Sequence, residues 1–328
     1  MKKIGVNGFG RIGRYFTRMM LNRDDMQVAV VNDLADIKTL AHLFKYDSVH
    51  GINPFAFQIV GNKLVFENGK EILFTQIAEP QKIPWGENEV SIVLESTGIF
   101  RTREEASLHL QGGAKKVIIS APAIGDVKTI VFGVNDADLL DTDIIVSNAS
   151  CTTNNAAPMI QVLKEFLEIE SAYITTVHSY TSDQRLHDSP HSDLRRARAA
   201  NLSIIPTSTG AAKALTKIFP ELEGKMGGCG IRVPVPNGSM TDLTVLVKND
   251  TSIEEVNLAM KRAAEGKMKG ILGYTEDPIV SIDIIGNTNS CLFDAELTSV
   301  MGRMVKVLGW YDNEAGYSNR LLDLAEKM

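Results

Sequence analysis

Cys151 stands in a segment whose sequence is typical of a reactive thiol. It follows a predicted strand at residues 144–146, and the polar residues 147–154 surround it. Ser150 can cap a helix that begins at Cys151, and the dipole at a helix N-terminus stabilises a thiolate. Such a thiolate can add to an aldehyde carbon and form a thiohemiacetal. The alternative interpretation is a small buried packing residue, the commonest role of an unpaired cysteine.

His178 is the candidate general base for this thiol. It ends a predicted strand at residues 173–177. In that role it holds the Cys151 thiolate as an ion pair and then takes the proton of the thiohemiacetal. The chain has six histidines, and a lone histidine is more often structural, so spacing alone leaves the role open.

A glycine fingerprint near the N-terminus predicts a dinucleotide site. It follows a predicted strand at residues 4–7 and opens a predicted helix; its members are Gly8, Gly10, Arg11, Ile12 and Gly13. The glycines let the backbone approach a pyrophosphate, and the helix N-terminus supplies amide donors. Asp33, twenty residues after Gly13, is placed to accept both ribose hydroxyls. Its charge repels a 2′-phosphate, which favours NAD over NADP.

The pattern of predicted strands and helices that must position these residues changes at Cys151. Before it, continuous β-branched runs alternate with helices, including runs at residues 28–31, 90–94, 117–119 and 129–134. That pattern predicts an α/β Rossmann domain with a parallel sheet at residues 1–150. After it, long strand-like runs predict an α+β catalytic domain with a mainly antiparallel sheet at residues 151–315. A final helix, at about residues 316–328, is expected to pack back on the first domain.

The bulk composition excludes several classes of partner. A net charge of −6 argues against a primary nucleic-acid partner and against binding to anionic membranes. No apolar run is long enough to predict a membrane span, and no signal peptide is apparent. The three cysteines have neither metal spacing nor a disulfide framework, so no metal site is expected. Their number fits a reducing compartment, and the predicted location is the cytoplasm.

Several longer motifs resemble those of phosphorylating glyceraldehyde-3-phosphate dehydrogenases of bacterial type. The resemblance runs from about residue 3 to the C-terminus, and its motifs are NGFGRIGR at 7–14, YDS at 46–48, SCTTN at 150–154, TSTGAAKA at 207–214, GILGYT at 270–275 and WYDNE at 310–314. It implies oxidation of D-glyceraldehyde 3-phosphate to 1,3-bisphosphoglycerate, with reduction of NAD and uptake of inorganic phosphate, in glycolysis or gluconeogenesis. A thioester on Cys151 would be cleaved by phosphate, and His178 aligns with the family's base.

The resemblance also implies further site residues and a homotetramer. Asn313 would hold the nicotinamide carboxamide with Tyr317 close by, and Thr97 and Ser120 would line the cofactor cleft. Thr181 and Arg232 would bind the substrate's phosphate. Inorganic phosphate would be bound by a second set, namely Ser150, Thr152, Arg196, Thr209 and Gly210. Arginine and hydroxyl donors suit two anions in a net-acidic chain. From the residues alone, the run 194–198 also fits a solvated basic face.

Three positions depart from the family's usual pattern. Asn155 stands where a second cysteine is common, so no internal disulfide with Cys151 can form. Ser189 replaces a leucine usual in NAD-specific bacterial members, although Pro190 keeps the NAD-type residue. Ala78 replaces an arginine often found near the adenine. The smaller Ser189 makes room for a 2′-phosphate, which leaves use of NADP open.

Two rival functions share these features. Erythrose-4-phosphate dehydrogenase has the same cysteine and histidine but departs from the segment at 208–214, which is whole in this chain. A non-catalytic dinucleotide- or RNA-binding relative would have no need of Cys151, His178 and two anion sites. A secondary binding role requires no motif and stays open, as does the physiological direction of the reaction.

Overall fold

The buried β-branched runs of the first 150 residues pair into one sheet. The computed structural model of the protein describes residues 1–328 and divides into two compact units. The first unit comprises Met1–Ile130, Asp138–Ala149 and Ser318–Met328; the second comprises Val131–Ala137 and Ser150–Tyr317. The nucleophile segment therefore begins where the chain enters the second unit.

The first unit contains eleven strands, nine of them in one sheet. They are β1 (Lys2–Asn7), β2 (Met26–Asn32), β3 (Tyr46–Asp47), β4 (Gly51–Ile52), β5 (Phe57–Val60), β6 (Lys63–Phe66), β7 (Glu71–Thr75), β8 (Ile92–Glu95), β9 (Lys116–Ile119), β10 (Lys128–Thr129) and β11 (Ile145–Ser147). The sheet order is β10-β11-β9-β8-β1-β2-β7-β6-β5. All pairings from β10 to β7 are parallel, so the carboxyl ends of these strands share one edge.

Three strands at one side of this sheet, β5 to β7, were not predicted. β6 pairs antiparallel with both β5 and β7 and extends the parallel sheet. In β6 and β7 buried residues alternate with more exposed ones, because only one face of this extension is covered. The central strands are covered on both faces, and the four residues of β8 are all buried. The predicted Rossmann architecture is confirmed.

Seven α-helices accompany the strands. They are α1 (Arg11–Met20), α2 (Ile37–Lys45), α3 (Arg103–Gln111), α4 (Cys151–Phe166), α5 (Ala211–Ile218), α6 (Ile253–Glu265) and α7 (Ala315–Lys327). The last helix begins where Asp312 accepts hydrogen bonds from the backbone N–H groups of Glu314 and Ala315. No helix combines the length and apolarity needed to cross a membrane.

The second unit is built on a seven-stranded sheet. Its strands are β12 (Ile169–Ser179), β13 (Ile205–Thr207), β14 (Met226–Val233), β15 (Ser239–Val247), β16 (Leu272–Thr275), β17 (Cys291–Met301) and β18 (Met304–Tyr311). Their order is β13-β14-β12-β15-β18-β17-β16. Only the β12–β14 and β16–β17 pairs are parallel, so the sheet is mainly antiparallel, as predicted.

One predicted strand, at residues 129–134, is wrong. The chain pairs only at Lys128–Thr129 and then turns, with Gly133 at a φ of 77°. Asn135 accepts the N–H of Val131 through its side chain, which replaces a strand partner. Ile130 and Val131 are fully buried in this turn, so their apolar character reflects packing rather than pairing.

The C-terminus of α7 is held by two lysines of the parallel sheet. Lys2 of β1 donates to the carbonyls of Ala325 and Glu326, and Lys116 of β9 donates to that of Met328. Cations at the carbonyl end of a helix satisfy its unpaired acceptors and favour its dipole. The first and last elements of the chain are therefore joined at one place.

Candidate active site

Cys151 occupies the first turn of α4. Ser150 is the N-cap, and its hydroxyl accepts the N–H of Thr153 at 3.1 Å. Ala149, one residue earlier, has a φ of 55°, which turns the chain sharply between strand and helix. A non-glycine residue in this region costs roughly 1–2 kcal/mol. Strain of this kind is often found beside functional groups.

The Cys151 Sγ atom lies 3.4 Å from His178 Nε2. His178 ends β12 and is buried, and its Nδ1 lies 2.7 Å from the carbonyl oxygen of Ser179. A carbonyl can only accept, so this contact favours the tautomer that has its proton on Nδ1 and presents the Nε2 lone pair to the thiol. That is the tautomer that a general base for Cys151 requires, whereas Arg232 Nη1, a donor 2.9 Å from Nδ1, favours the opposite one.

Arg232 is the register partner of His178 on the parallel neighbour β14. Its Nη1 donates to the Ser179 carbonyl at 3.0 Å and lies 2.9 Å from His178 Nδ1. The pairing of β12 with β14 thus places a guanidinium beside the base. The two residues are 54 positions apart in sequence, so no local motif reveals their contact.

The charges around the pair differ from those expected. Burial raises the pKa of the Cys151 thiol, whereas the charge of Arg232 and the N–H of Thr152 lower it. Burial lowers the pKa of His178 to about 3, and Arg232 acts in the same direction. Both net shifts oppose the predicted thiolate–imidazolium pair. Arg232 is the cation that favours the thiolate, and the lowered pKa of His178 favours a neutral imidazole.

Tyr311 is a site residue that the sequence reasoning missed. Its hydroxyl bonds to the hydroxyls of Thr152 at 2.9 Å and Thr176 at 2.8 Å, and its ring packs edge-on against His178. Thr152, expected to bind phosphate, therefore has its hydroxyl engaged with Tyr311. Tyr311 lies within the motif at 310–314, but nothing in its spacing singles it out.

Arg196 is fixed by three hydrogen bonds and by an ion pair with Asp193, whose Oδ2 lies 3.7 Å from its Nε. Its Nε donates to Thr207 at 3.0 Å, its Nη1 to Asp183 at 2.6 Å and its Nη2 to the carbonyl of Ser208 at 3.3 Å. A guanidinium has five N–H groups, so two remain for an anion. Burial lowers the pKa values of His178 and Arg232, and the charge of Arg196 acts in the same direction on both.

The remaining residues predicted to bind anions have fewer contacts with Arg196 and Arg232. Thr209 and Gly210 precede α5, where Gly210 is the N-cap and the helix N-terminus offers amide donors. The contact of Arg196 with Ser208 ties it to this segment. Thr181 follows β12 by two residues, and the structure gives no hydrogen bond between its side chain and Arg232. The hydroxyl of Ser150 is engaged as the cap of α4.

Asn313 is oriented by two serines. Its Oδ1 accepts hydroxyl hydrogen bonds from Ser179 at 2.8 Å and Ser239 at 3.1 Å. The amide N–H₂ group is thereby the donor that faces away from them, which suits a carboxamide oxygen. Tyr317 is buried on α7 four residues later.

A cavity of about 320 Å³ in the first unit lies at the carboxyl ends of its central strands. Four predicted cofactor residues line it, namely Gly8, Gly10, Asp33 and Thr97. The carboxyl edge of a parallel sheet is where dinucleotides bind. The sequence reasoning missed the apolar wall suited to an adenine ring, formed by Leu34, Ile77, Ile99 and Phe100.

The glycine loop fits a pyrophosphate. Gly8 has a φ of 91°, and a Cβ atom at Gly13 would lie 2.2 Å from the Gly8 carbonyl, whereas one at Gly10 would meet open space. Asp33 accepts the Phe9 N–H at 2.7 Å, which couples the end of β2 to this loop. Arg11, by contrast, forms an ion pair with Asp47 at 2.7 Å. Ile12 lies in the first turn of α1, and Ser120 follows β9; neither lines the cavity.

Two family models cover most of the chain. The model of the glyceraldehyde 3-phosphate dehydrogenase NAD binding domain matches residues 2–103, and that of the C-terminal domain of the same family matches residues 150–313. The chain belongs to the glyceraldehyde-3-phosphate dehydrogenase family. The resemblance inferred from the motifs is therefore confirmed.

Relatives of high identity cover the full length. Glyceraldehyde-3-phosphate dehydrogenases from Geobacillus stearothermophilus and Thermotoga maritima are each 55% identical to this chain. The first alignment covers 98% of this chain and 97% of the relative, and the second covers 99% and 98%. Glyceraldehyde-3-phosphate dehydrogenase 1 of Bacillus subtilis is also 55% identical, over 98% of this chain and 97% of its own length.

The three departures from the family pattern have distinct surroundings. Asn155 is fully buried, and its amide donates to the carbonyls of Trp310 at 3.1 Å and Ser290 at 3.3 Å. It therefore anchors α4 to neighbouring segments. Ala78 lines the cofactor cavity, whereas Ser189 is exposed in the segment after Thr181. No group of acidic, histidine or cysteine side chains is arranged to hold a metal ion.

Proposed function

We propose that the protein oxidises D-glyceraldehyde 3-phosphate to 1,3-bisphosphoglycerate, with NAD as oxidant and inorganic phosphate as acyl acceptor. The observation that carries this proposal is the Cys151–His178 pair, 3.4 Å apart, with Arg232 against the histidine. A thiol with a base fits aldehyde oxidation in general. The additional guanidiniums of Arg232 and Arg196 fit two anions, the phosphate group of the aldehyde and the inorganic phosphate that accepts the acyl group.

The chain's own residues perform the covalent chemistry. The Cys151 sulfur adds to the aldehyde carbon and gives a thiohemiacetal. His178 Nε2 takes the hydroxyl proton of this adduct as the carbon is oxidised to a thioester. When bound, NAD supplies the oxidising power by accepting a hydride. Asn313 is the donor for its carboxamide, and the Gly8–Gly13 loop and Asp33 hold its pyrophosphate and ribose.

Phosphate then cleaves the thioester and regenerates the thiolate. Its oxygen forms the new bond to the acyl carbon while the carbon–sulfur bond breaks. Arg196 and the amides at the start of α5 hold the attacking anion. Thr181 and Arg232 hold the phosphate that the substrate already carries. Thr209 and Gly210 complete the site for the attacking phosphate, together with Ser150 and Thr152.

The deciding experiment compares two aldehydes with and without inorganic phosphate. Glyceraldehyde 3-phosphate should be oxidised through many turnovers only when phosphate or arsenate is present. Erythrose 4-phosphate should be a poor substrate. Phosphate-independent turnover that prefers the four-carbon aldehyde would instead establish an erythrose-4-phosphate dehydrogenase, and no turnover of either would favour a non-catalytic relative.

Arg196→Gln is expected to raise the KM for inorganic phosphate by about 10- to 100-fold. Charged hydrogen bonds contribute about 1.5–3 kcal/mol each, and glutamine retains none of the charge. The KM for the aldehyde should change far less. The matched control is Arg195→Gln, which removes an exposed neighbour of the same type. Equal phosphate KM values in the two variants would refute the role of Arg196.

Asp33→Asn should lower the ratio of kcat/KM for NAD to that for NADP by at least about 10-fold. The carboxylate favours ribose hydroxyls and repels a 2′-phosphate, and asparagine removes the charge while keeping the shape. Steady-state kinetics with both cofactors measure this ratio. Asp24→Asn, at an exposed position, is the control. An unchanged ratio would show that discrimination lies elsewhere, for instance at Ser189.

The protein is also proposed to be a cytoplasmic homotetramer. Four large apolar side chains within residues 186–204 are between 70% and 82% exposed, namely Leu186, Leu194, Leu202 and Ile204. Large exposed apolar side chains concentrated in one segment fit a protein interface. Light scattering coupled to size exclusion measures the assembly, and a monomer at micromolar concentration would contradict it. A reducing compartment suits three unpaired cysteines.

A further inference from the structure

A buried carboxylate that the reaction does not use lies beneath the cofactor cavity. Glu95 ends β8, is 1% exposed and has neither a lysine nor an arginine at its oxygens. Its neighbours Ser96 and Thr97 line the cavity. An uncompensated buried charge is costly, so the groups that surround it must supply strong hydrogen bonds. Their identity indicates what Glu95 does.

Every hydrogen-bond partner of the Glu95 carboxylate is a donor. Oε1 accepts the backbone N–H of Thr97 at 2.8 Å and also the Thr97 hydroxyl. Oε2 accepts the amide of Asn7 at 2.6 Å and lies 3.0 Å from His109 Nε2. Asn7 belongs to β1 and precedes Gly8. The carboxylate therefore joins two of the loops that line the cavity, one after β1 and one after β8.

The Asn7 donor is fixed from the opposite side. Asn32 Oδ1 accepts the backbone N–H of Ile77 at 2.9 Å, which defines the orientation of the Asn32 amide. Asn32 Nδ2 then donates to Asn7 Oδ1 at 2.8 Å. Asn7 can consequently present only its N–H₂ group to Glu95. The backbone N–H of Ile77 thus fixes the orientation of both side-chain amides, first that of Asn32 and then that of Asn7.

The His109 donor is fixed in the same way by Trp85. The indole Nε1 of Trp85 lies 3.2 Å from His109 Nδ1, and an indole nitrogen can only donate. His109 Nδ1 is therefore an acceptor, and the proton is on Nε2, facing Glu95. Trp85 and His109 are both fully buried, so water cannot replace either bond.

We propose that Glu95 is a positioning residue for dinucleotide binding, held by two locked donors, Asn7 and His109. Each of its oxygens accepts from at least one N–H donor, so the N–H₂ group of an amide does not fit at either oxygen. The carboxylate keeps Asn7 and Thr97 in place and thereby sets the separation of the two loops around the pyrophosphate. This inference rests on the proposed use of NAD at this cavity.

The test is Glu95→Gln, with NAD affinity measured by calorimetry on the full-length protein. The amide N–H₂ of glutamine would face Thr97 N–H or the locked donors, so the Kd for NAD should rise by at least about 10-fold. Alkylation of Cys151 by iodoacetamide in the absence of NAD should stay within about twofold. Glu89→Gln, at an exposed carboxylate, is the control and should bind NAD normally.

Trp85→Phe separates this role from general stability. Without the indole donor, His109 can move its proton to Nδ1 and accept through Nε2 one N–H of the amide that Glu95→Gln introduces. The conflict with Asn7 remains, so the relief is partial. The double variant should therefore bind NAD more tightly than the sum of the two single effects predicts. Strict additivity would overturn the proposal, as would normal binding by Glu95→Gln. Absence of NAD binding by the unmodified protein would instead refute the proposed function.

A measurement on the unmodified chain covers the case in which Glu95→Gln does not fold. Nitrogen-15 NMR of histidine-labelled protein, assigned with His109→Asn, should show His109 as the neutral Nε2–H tautomer at neutral pH. The opposite tautomer or an imidazolium would contradict the lock that Trp85 imposes.

Discussion

Replacement of Cys151 by alanine should reduce oxidation of glyceraldehyde 3-phosphate by at least about 10⁴-fold. The sulfur is the atom that forms both covalent intermediates, and alanine leaves no nucleophile within reach of the aldehyde. NAD binding should be retained, because the glycine loop and Asp33 are untouched. Steady-state kinetics and calorimetry on the same preparation measure the two quantities.

The matched control for this variant is Cys229→Ala. Cys229 lies on β14, is partly exposed and is also a free thiol. Its removal should leave turnover close to normal, so that loss of activity in Cys151→Ala is not a general effect of removing a thiol. Undiminished turnover of Cys151→Ala would refute the covalent mechanism.

His178→Asn should lower kcat by about 10²- to 10⁴-fold, the contribution usual for a positioned general base. Asparagine can approach Cys151 but cannot take the thiohemiacetal proton. Burial lowers the pKa of His178 to about 3, so the imidazole is neutral rather than an imidazolium throughout the neutral range. His187→Asn, an exposed histidine, is the control. A normal kcat in His178→Asn would exclude His178 as the base.

The pH dependence follows from the thiol rather than the imidazole. Burial raises the pKa of Cys151, so kcat/KM should increase with pH through neutrality and into the alkaline range. Arg232 lowers that pKa, so Arg232→Gln should move the alkylation profile of Cys151 to higher pH. His178→Asn should move it less. A larger shift of the alkylation profile in His178→Asn than in Arg232→Gln would instead support the thiolate–imidazolium pair expected from the sequence.

Much of this architecture could be predicted because local signals and global fold agree. The glycine loop, Asp33 and the buried strands of the parallel sheet each follow from residue type and period. The run at 129–134 was mistaken for a strand because buried turns and buried strands have the same composition. Only Gly133 and the side chain of Asn135 distinguish them, and neither is decisive in sequence.

The functional residues could be predicted where those that act together are adjacent in sequence. Ser150 and Cys151 lie together at a helix start, so the nucleophile could be inferred locally. The contacts of His178 with Arg232, and of Thr152 with Tyr311, depend on strand register and on residues distant in sequence. The predicted protonation of the pair rests on local sequence, whereas burial raises the pKa of Cys151 and lowers that of His178, and the charge of Arg232, from another strand, acts on both.

The lysine contacts at the end of α7 imply that the first unit cannot be completed until the C-terminus of the chain has been synthesised. Residues 318–328 belong to the unit that begins at Met1, and Lys2 and Lys116 hold their carbonyls. During translation the dinucleotide unit is therefore started first but completed last, after all strands of the second unit have emerged. A nascent chain stalled before residue 318 lacks the buried side chains of Leu321 and Leu324, so the apolar surface that they cover in the first unit is exposed.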